Sequence, residues 1–217
     1  MTVPLSLQDF LASVDASPLK AWSASPPWEL TRNSEQVVRQ LLQQLPEGFE
    51  LVDDIAVHRT AKVEAGAILK GPVIVGARNL IAAGAYLRGG CWLDHDCVVG
   101  PGSELKSSFV FASTKLAHFN FVGDSLLGEA VNLEAGAVIC NYRNERPDAG
   151  IRVRIDGLLH TVGAVKFGAL VGDGSRLGAN SVLAPGTLLR RGSVVGRTAL
   201  CDQELVSSDP EGQGTRG

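Results

Sequence analysis

From Val57 onward an aliphatic or aromatic residue returns at every sixth position: Val57, Val63, Leu69, Val75, Ile81, Leu87, Leu93, Val99, Leu105 and Phe111. A helix repeats its apolar face every 3.6 residues and a half-buried strand every two, so neither accounts for a period of six. Four positions after each large residue usually stands a small one, among them Ala61, Ala67, Ala85, Cys91, Cys97 and Ser103. The pattern predicts short strands separated by tight turns, three hexads to a triangular coil. Large side chains stack inside it and small ones fill the corners. That is an all-β architecture, the parallel β-helix of hexapeptide repeats, and no helical period between the repeats supports a βαβ sheet.

The period breaks twice. Next in phase after Phe111 is Ala117, yet the row resumes with Phe121, Leu127, Leu133 and Ile139. The stretch K-L-A-H-F-N-F-V-G-D, Lys115 to Asp124, spans this four-residue slip and carries His118 inside it. Insertions in repeat proteins map to loops on one face, often the binding face, which makes His118 the first candidate for chemistry. After Ile139 the repeat stops again and restarts with Val171, Leu177, Leu183, Leu189 and Val195. Between them I-R-V-R-I (Ile151 to Ile155) alternates, Asp156-Gly157 is a turn signal, and Leu158 to Val162 follows. This reads as an inserted β-hairpin, expected to leave the coil and lie near the site.

Residues 1–53 lack the six-residue period. A short helix with Ser6 as N-cap, a break at S-P-P-W (Ser25 to Trp28), and a second helix bearing Val37, Val38, Leu41 and Leu42 are expected. The predicted role is a helical cap over the open end of the solenoid, since terminal repeats need one. Residues 54–200 form the repeat domain, and the polar, glycine-rich residues 201–217 are expected to be a flexible tail.

Composition removes several classes of function. The 217 residues suffice for one domain with a small appendage. A net charge of -3 with acid and base interspersed offers no basic field for nucleic acid. No apolar run is long enough to span a bilayer, and no leader pattern precedes the first helix. Cys91, Cys97, Cys140 and Cys201 form no C-x-x-C pair, so neither a disulfide framework nor a metal site is expected. A cytoplasmic protein with reduced thiols is the corresponding expectation.

The slip region, together with N-L-E-A-G-A-V-I-C-N-Y from Asn132 to Tyr142, closely resembles the acetyltransferase domain of the bacterial bifunctional N-acetylglucosamine-1-phosphate uridyltransferase family. Ile155-Asp156-Gly157 and K-F-G-A-L-V-G-D (Lys166 to Asp173) resemble still more the archaeal sugar-1-phosphate nucleotidyltransferases that carry the same domain. The resemblance spans roughly residues 55–200. It implies a left-handed β-helix, a homotrimer with sites between subunits, acetyl-CoA as co-substrate, and an amino-sugar phosphate such as glucosamine-1-phosphate as acceptor. Three-fold packing would also close the flat faces that a single coil stack leaves open.

Carried over by position, His118 matches the general base. Arg88 and Lys106 match the residues holding the sugar phosphate, Asn132 a contact to a substrate hydroxyl or amine, and Lys166 a later substrate lysine. Ala135, Asn141, Tyr142 and Ala179 match positions that contact acetyl-CoA. The chemistry is coherent in itself. Imidazole titrates near neutral pH and suits deprotonation of an amine, while arginine and lysine suit phosphate oxygens.

Two departures stand out. Phe121 occupies a substrate position where the family usually has tyrosine, which removes a phenolic contact. The residues before the repeat are also too few for the nucleotidyltransferase domain, so uridyl transfer is not expected. Two other readings remain. One is a non-catalytic hexapeptide scaffold, or a protein that binds sugar phosphates or nucleotide sugars. The other, a γ-type carbonic anhydrase on the same fold, needs three converging histidines, and His58, His95, His118 and His160 contain no pair at the five-residue spacing which that zinc site uses.

Overall fold

The computed structural model describes residues 5–205 and is a left-handed parallel β-helix. Three sheets form the sides of the prism: sheet A with eight strands, sheets B and C with seven each. Every coil contributes one short strand to A, then B, then C, beginning with Ile55–His58, Lys62–Val63 and Ile68–Leu69. An extra strand, Phe49–Val52, pairs antiparallel with Ile55–His58 and starts sheet A.

Each strand turns one large side chain inward. Val75, Ile81, Leu87, Leu93, Val99 and Leu105 are all fully buried in one column-like core. Burial of such a side chain is worth about 1.5–3 kcal/mol. With strands this short, stacked burial is the main source of cohesion.

The corner residues do more than occupy little space. Asn120 donates its side-chain amide to the carbonyls of Glu134 and Ala137 at 2.8 and 3.1 Å. Asn79 donates to the Asp94 carbonyl and accepts from the Cys97 amide at 2.6 Å. The Thr114 hydroxyl bridges the Gly128 carbonyl and the Val131 amide in the same way. Corners expose backbone groups that strand pairing cannot reach, and a buried unpaired group costs free energy.

The phase break has a different cause from the one the spacing suggested. The inward row runs Leu105, Val110, Leu116, Val122 and Leu127, so Phe111 and Phe121 are not members of it. Leu87 pairs with Leu105, eighteen residues on, whereas Leu105 pairs with Val122, seventeen on. Two corners between sheets C and A are each one residue short, at Lys106–Phe109 and Gly123–Leu126. His118 lies in a corner of ordinary length, with no insertion. Apolarity misled the reading: Phe111 packs outside the coil against Trp92, ring centroids 5.4 Å apart, and Phe121 faces outward on sheet C beside Gly123.

A serine compensates at each short corner. The Ser108 hydroxyl donates to the Lys106 carbonyl at 2.7 Å and accepts the Ser125 amide at 3.0 Å. Ser125 repeats the arrangement one coil later with Gly123 and Ala169. Ser107 and Asp124 take the left-handed conformation there, with φ of 49° and 47°.

The N-terminal segment covers a side of the prism and not its open end. Three 3-10 turns lead to helices α1 (Pro27–Arg32) and α2 (Ser34–Leu42). Leu7, Phe10, Trp28, Val38 and Leu41 bury against Ile74, Trp92, Phe109, Leu126 and Leu170 on the outer face of sheet A. Large outward side chains on that sheet demand a cover, which end-capping logic overlooked.

The inserted hairpin (Arg152–Ile155 and Leu158–Thr161) forms as expected, but its body packs on this same outer face through Ile151, Val153 and Ile155. Only its roots reach the edge between sheets C and A. Part of the expected tail is structured. Leu200–Cys201 is the last strand of sheet C, Asp202 and Glu204 are ion-paired to Arg143 and Arg146, and Gln203 bonds the Leu188 backbone. Residues 206–217 lie outside the described residues.

Candidate active site

Two columns of residues flank the outer face of sheet C, and the predicted site residues divide between them. The first column is the edge where sheet C turns into sheet A. Arg88 and Lys106 end adjacent strands and stand in register. Asp124 follows one coil later, and Asn141 the coil after that. Lys106 Nζ donates to Asp124 Oδ2 at 2.9 Å, and Asn141 donates its side-chain amide to the same oxygen. The Lys106 and Asp124 side chains are only 17% and 7% exposed. Arg88 is less enclosed and donates through Nε to Glu104 Oε1 at 2.7 Å. The returning chain after the hairpin joins this edge: Phe167 donates its amide to the Asn141 carbonyl and Gly168 to the Asp124 carbonyl. Lys166 and Tyr142 are exposed beside it.

The second column is the corner between sheets B and C. The His118 carbonyl accepts the Gly136 amide at 2.9 Å, the Ala135 carbonyl accepts Asn180 at 3.0 Å, and the Ala179 carbonyl accepts Thr198 at 2.8 Å. His118, Ala135 and Ala179 therefore stack on successive coils. The His118 imidazole is exposed and has no hydrogen-bond partner among the described residues. Next to it Phe119 adopts φ 51° with its ring 71% exposed. That ring lies over Gly102, where a Cβ would come within 2.5 Å of it.

Between the columns runs a strand of three residues, Phe121–Gly123, about 10 Å long. Phe121 stands at its His118 end. A Cβ on Gly123 would meet the Asn141 amide at 2.7 Å and the Phe121 ring at 2.9 Å, so glycine is what lets these two side chains close over the buried end of the strand. Asn132 lies on sheet B, in register with Lys115 and Arg176, and not on sheet C with Arg88 and Lys106. The Ala179 amide is already engaged by Glu134 Oε2 at 2.8 Å, and Arg197 and this bond hold the Glu134 carboxyl below its ordinary range.

Asp124, Glu104 and Phe119 are the site residues that the sequence reading passed over. For Asp124 a signal existed. Its Gly-Asp-Ser corner is one of the two short ones, and its left-handed backbone aims the carboxylate along the sheet edge. The cysteines take no part. Burial pushes the thiols of Cys91 and Cys97 up to about 11 and about 12. Among the described residues no group of three or more His, Cys, Asp or Glu could hold a metal ion. None of their helices is long and apolar enough to cross a membrane.

The chain matches no protein-family model. It is 32% identical over 121 residues to the bifunctional protein GlmU of Methanococcus vannielii, across 56% of this chain and 28% of that protein. It is 29% identical over 150 residues to the bifunctional sugar-1-phosphate nucleotidylyltransferase/acetyltransferase of Sulfurisphaera tokodaii, across 69% of this chain and 37% of the relative. This chain thus spans between about a quarter and two-fifths of the length of these two relatives. Among solved structures, a hexapeptide transferase family protein from Anaplasma phagocytophilum aligns with a TM-score of 0.36 at 23% identity, covering 67% of this chain and 72% of that one. The similarity expected from the slip region and from Asn132 to Tyr142 is therefore present in the sequence relatives.

Proposed function

We propose that the chain is an acyl-CoA-dependent N-acetyltransferase acting on an amino-sugar phosphate, with the outer face of sheet C as the floor of the site. The observation that carries this reading is the pairing of columns: cations at one edge, an exposed imidazole at the other, and a strand only about 10 Å long between them. A sugar phosphate laid across that strand places its charge near Arg88, Lys106 and Lys166 and its amine near His118.

In the step proposed, the His118 ring nitrogen takes a proton as the amine attacks the thioester carbonyl. The new C–N bond forms and, as the tetrahedral intermediate collapses, the C–S bond breaks. The proton held on His118 passes to the departing thiolate. Acetyl-CoA is the donor that the family resemblance implies, and Asn141, Tyr142, Ala135 and Ala179 are the positions assigned to it. A homotrimer would cover Ile68, Val194 and Leu200, each more than half exposed in the single chain. It would also bring a neighbour's residues to the unpartnered imidazole.

One observation favours the non-catalytic reading. Arg88 and Lys106 already have carboxylate partners, and among the described residues no acid orients the His118 ring. Thiol release from acetyl-CoA with glucosamine-1-phosphate separates the two. Release that depends on both substrates and is lost in His118→Ala supports the transferase. Binding of the sugar phosphate without release supports the sensor or scaffold.

A further inference from the structure

The third corner of the prism, between sheets A and B, borders a cavity that neither column uses. It lies between helix α2 with the turn after it and the outer face of sheet A, with a volume of about 480 Å³. Its walls are apolar: Leu41 and Leu45 from the helical segment, Phe49, and Ile74 and Trp92 from the sheet. Its edge is polar, with the carboxylates of Glu47 and Asp94 beside Gln44 and the imidazoles of His58 and His95. Small-molecule sites have this size and make-up, an apolar body with a few placed polar groups, and occur where separate units of a fold meet.

Asp94 is the group that gives this cavity a chemical preference. One carboxylate oxygen accepts the His95 amide at 2.8 Å, and the other has no hydrogen-bond donor among the described residues. Burial raises the Asp94 carboxyl above its ordinary range, and the charges of Glu129 and Asp96 add to that. At the same corner Arg78 is paired with Asp96 and not with Asp94, through two bonds at 2.7 and 2.6 Å. The His95 imidazole also turns its Nδ1 to Asp96, at 2.8 Å. A half-buried carboxylate whose second oxygen stays open to solvent, at the mouth of an apolar cavity, can be paired by a cation that enters with its own apolar body.

We propose that this cavity binds a small molecule with a one- or two-ring apolar body and a single protonated amine, the body against Trp92, Ile74 and Phe49 and the ammonium donating to Asp94. The carboxylates at its edge disfavour sugar phosphates and CoA, both anionic, so this site is distinct from the sheet C face and does not depend on the transferase reading.

The test uses the full chain and two probes of matched body, phenethylamine and 3-phenylpropionate, titrated by saturation-transfer NMR. Phenethylamine is expected to bind saturably with a Kd below about 10 mM, in the range open to so small a ligand, and 3-phenylpropionate is expected not to. Asp94→Asn should weaken the amine at least tenfold. Ala77→Leu, which fills the cavity wall, should abolish binding while the circular dichroism spectrum stays unchanged. The proposal is overturned by equal binding of the anionic probe, by undiminished amine affinity in Asp94→Asn, or by displacement of the amine by glucosamine-1-phosphate. Absence of saturable amine binding to the folded wild type also overturns it.

Discussion

The two edges of sheet C are built on opposite principles. At the C-to-A edge the polar groups on the sheet itself are tied down: Lys106 and Asn141 both bond the Asp124 carboxylate, and serines at the shortened corners bind the backbone around them. At the B-to-C corner the turn is anchored by its backbone and by Asn120, while the His118 imidazole projects without a partner among the described residues and the exposed Phe119 ring rests on Gly102. One edge is a rigid frame that fixes where charge sits. The other presents an exposed imidazole with no hydrogen-bond partner among the described residues, the group to which the proposed function gives the role of base. Stability and chemistry should therefore separate cleanly between the edges.

The largest separation is expected at His118. His118→Ala should lower kcat by about 10² to 10⁴-fold, the usual contribution of a positioned general base, and change folding stability by less than about 0.5 kcal/mol, as exposed substitutions do. Denaturant melts run beside the thiol-release assay check both halves. A variant that loses activity and stability together would place His118 in the frame.

Asp124→Ala should show the reverse, with the greater loss in stability. It leaves a mostly enclosed ammonium and the Asn141 amide without their common acceptor, and breaking such a pair from one side costs about 3 kcal/mol or more. Asp124→Asn keeps an acceptor for one of the two donors and should fall between. If Asp124→Ala melts like wild type, the edge is not the frame described here.

How much of this contrast the sequence discloses depends on the kind of information required. The core column and coil could be read because burial alternates with a fixed period, which a linear pattern records directly. The position of the slip could not. Phe111 and Phe121 are as apolar as the true inward residues Val110 and Val122, and only three-dimensional packing tells an inward ring from one that faces Trp92 or the open sheet. The cover on sheet A was missed for a related reason: Ile74, Trp92 and Phe109 alternate with the inward row and look like ordinary strand residues until their outer partners are seen. The candidate site residues came from the family resemblance and not from the period of the repeat. Asp124, which acts through its contacts and not through a motif, escaped until the corner geometry gave it a role.

A smaller effect should distinguish the two cations of the frame. Arg88, paired with Glu104 but about a third exposed, should behave as a binding residue. Arg88→Ala is expected to raise KM for the sugar phosphate about tenfold with kcat nearly unchanged, the mark of an interaction made equally in ground and transition states. Lys106→Ala should combine a KM effect with a loss of stability, because Asp124 is then left unpaired. Steady-state kinetics on a phosphorylated and an unphosphorylated amino sugar would show the discrimination vanish in Arg88→Ala if phosphate is what it holds.

The smallest effect lies at the far end of the same edge, where the chain after the last strand is latched to the root of the insertion. Arg143, 4% exposed, donates to both oxygens of Asp202 at 2.6 and 2.8 Å. Those bonds hold the Asp202 carboxyl below its ordinary range. A carboxyl depressed on folding contributes stability that is present above its unfolded pKa, near 3.9, and is lost as pH falls through the lower folded value. At pH 7 the latch is therefore fully engaged. Asp202→Asn should lower Tm there by about 2–4 °C, corresponding to about 1 kcal/mol in a chain of this size. Well below pH 3.9 the wild-type carboxyl also becomes protonated, and the two proteins should converge. Paired thermal melts at pH 7 and at the lowest pH that keeps the wild type folded measure this directly. A Tm difference that stays constant through the acid range would mean that the Asp202 side chain acts by shape and not by charge, and the C-to-A edge would then owe its rigidity to the serine and backbone bonds alone.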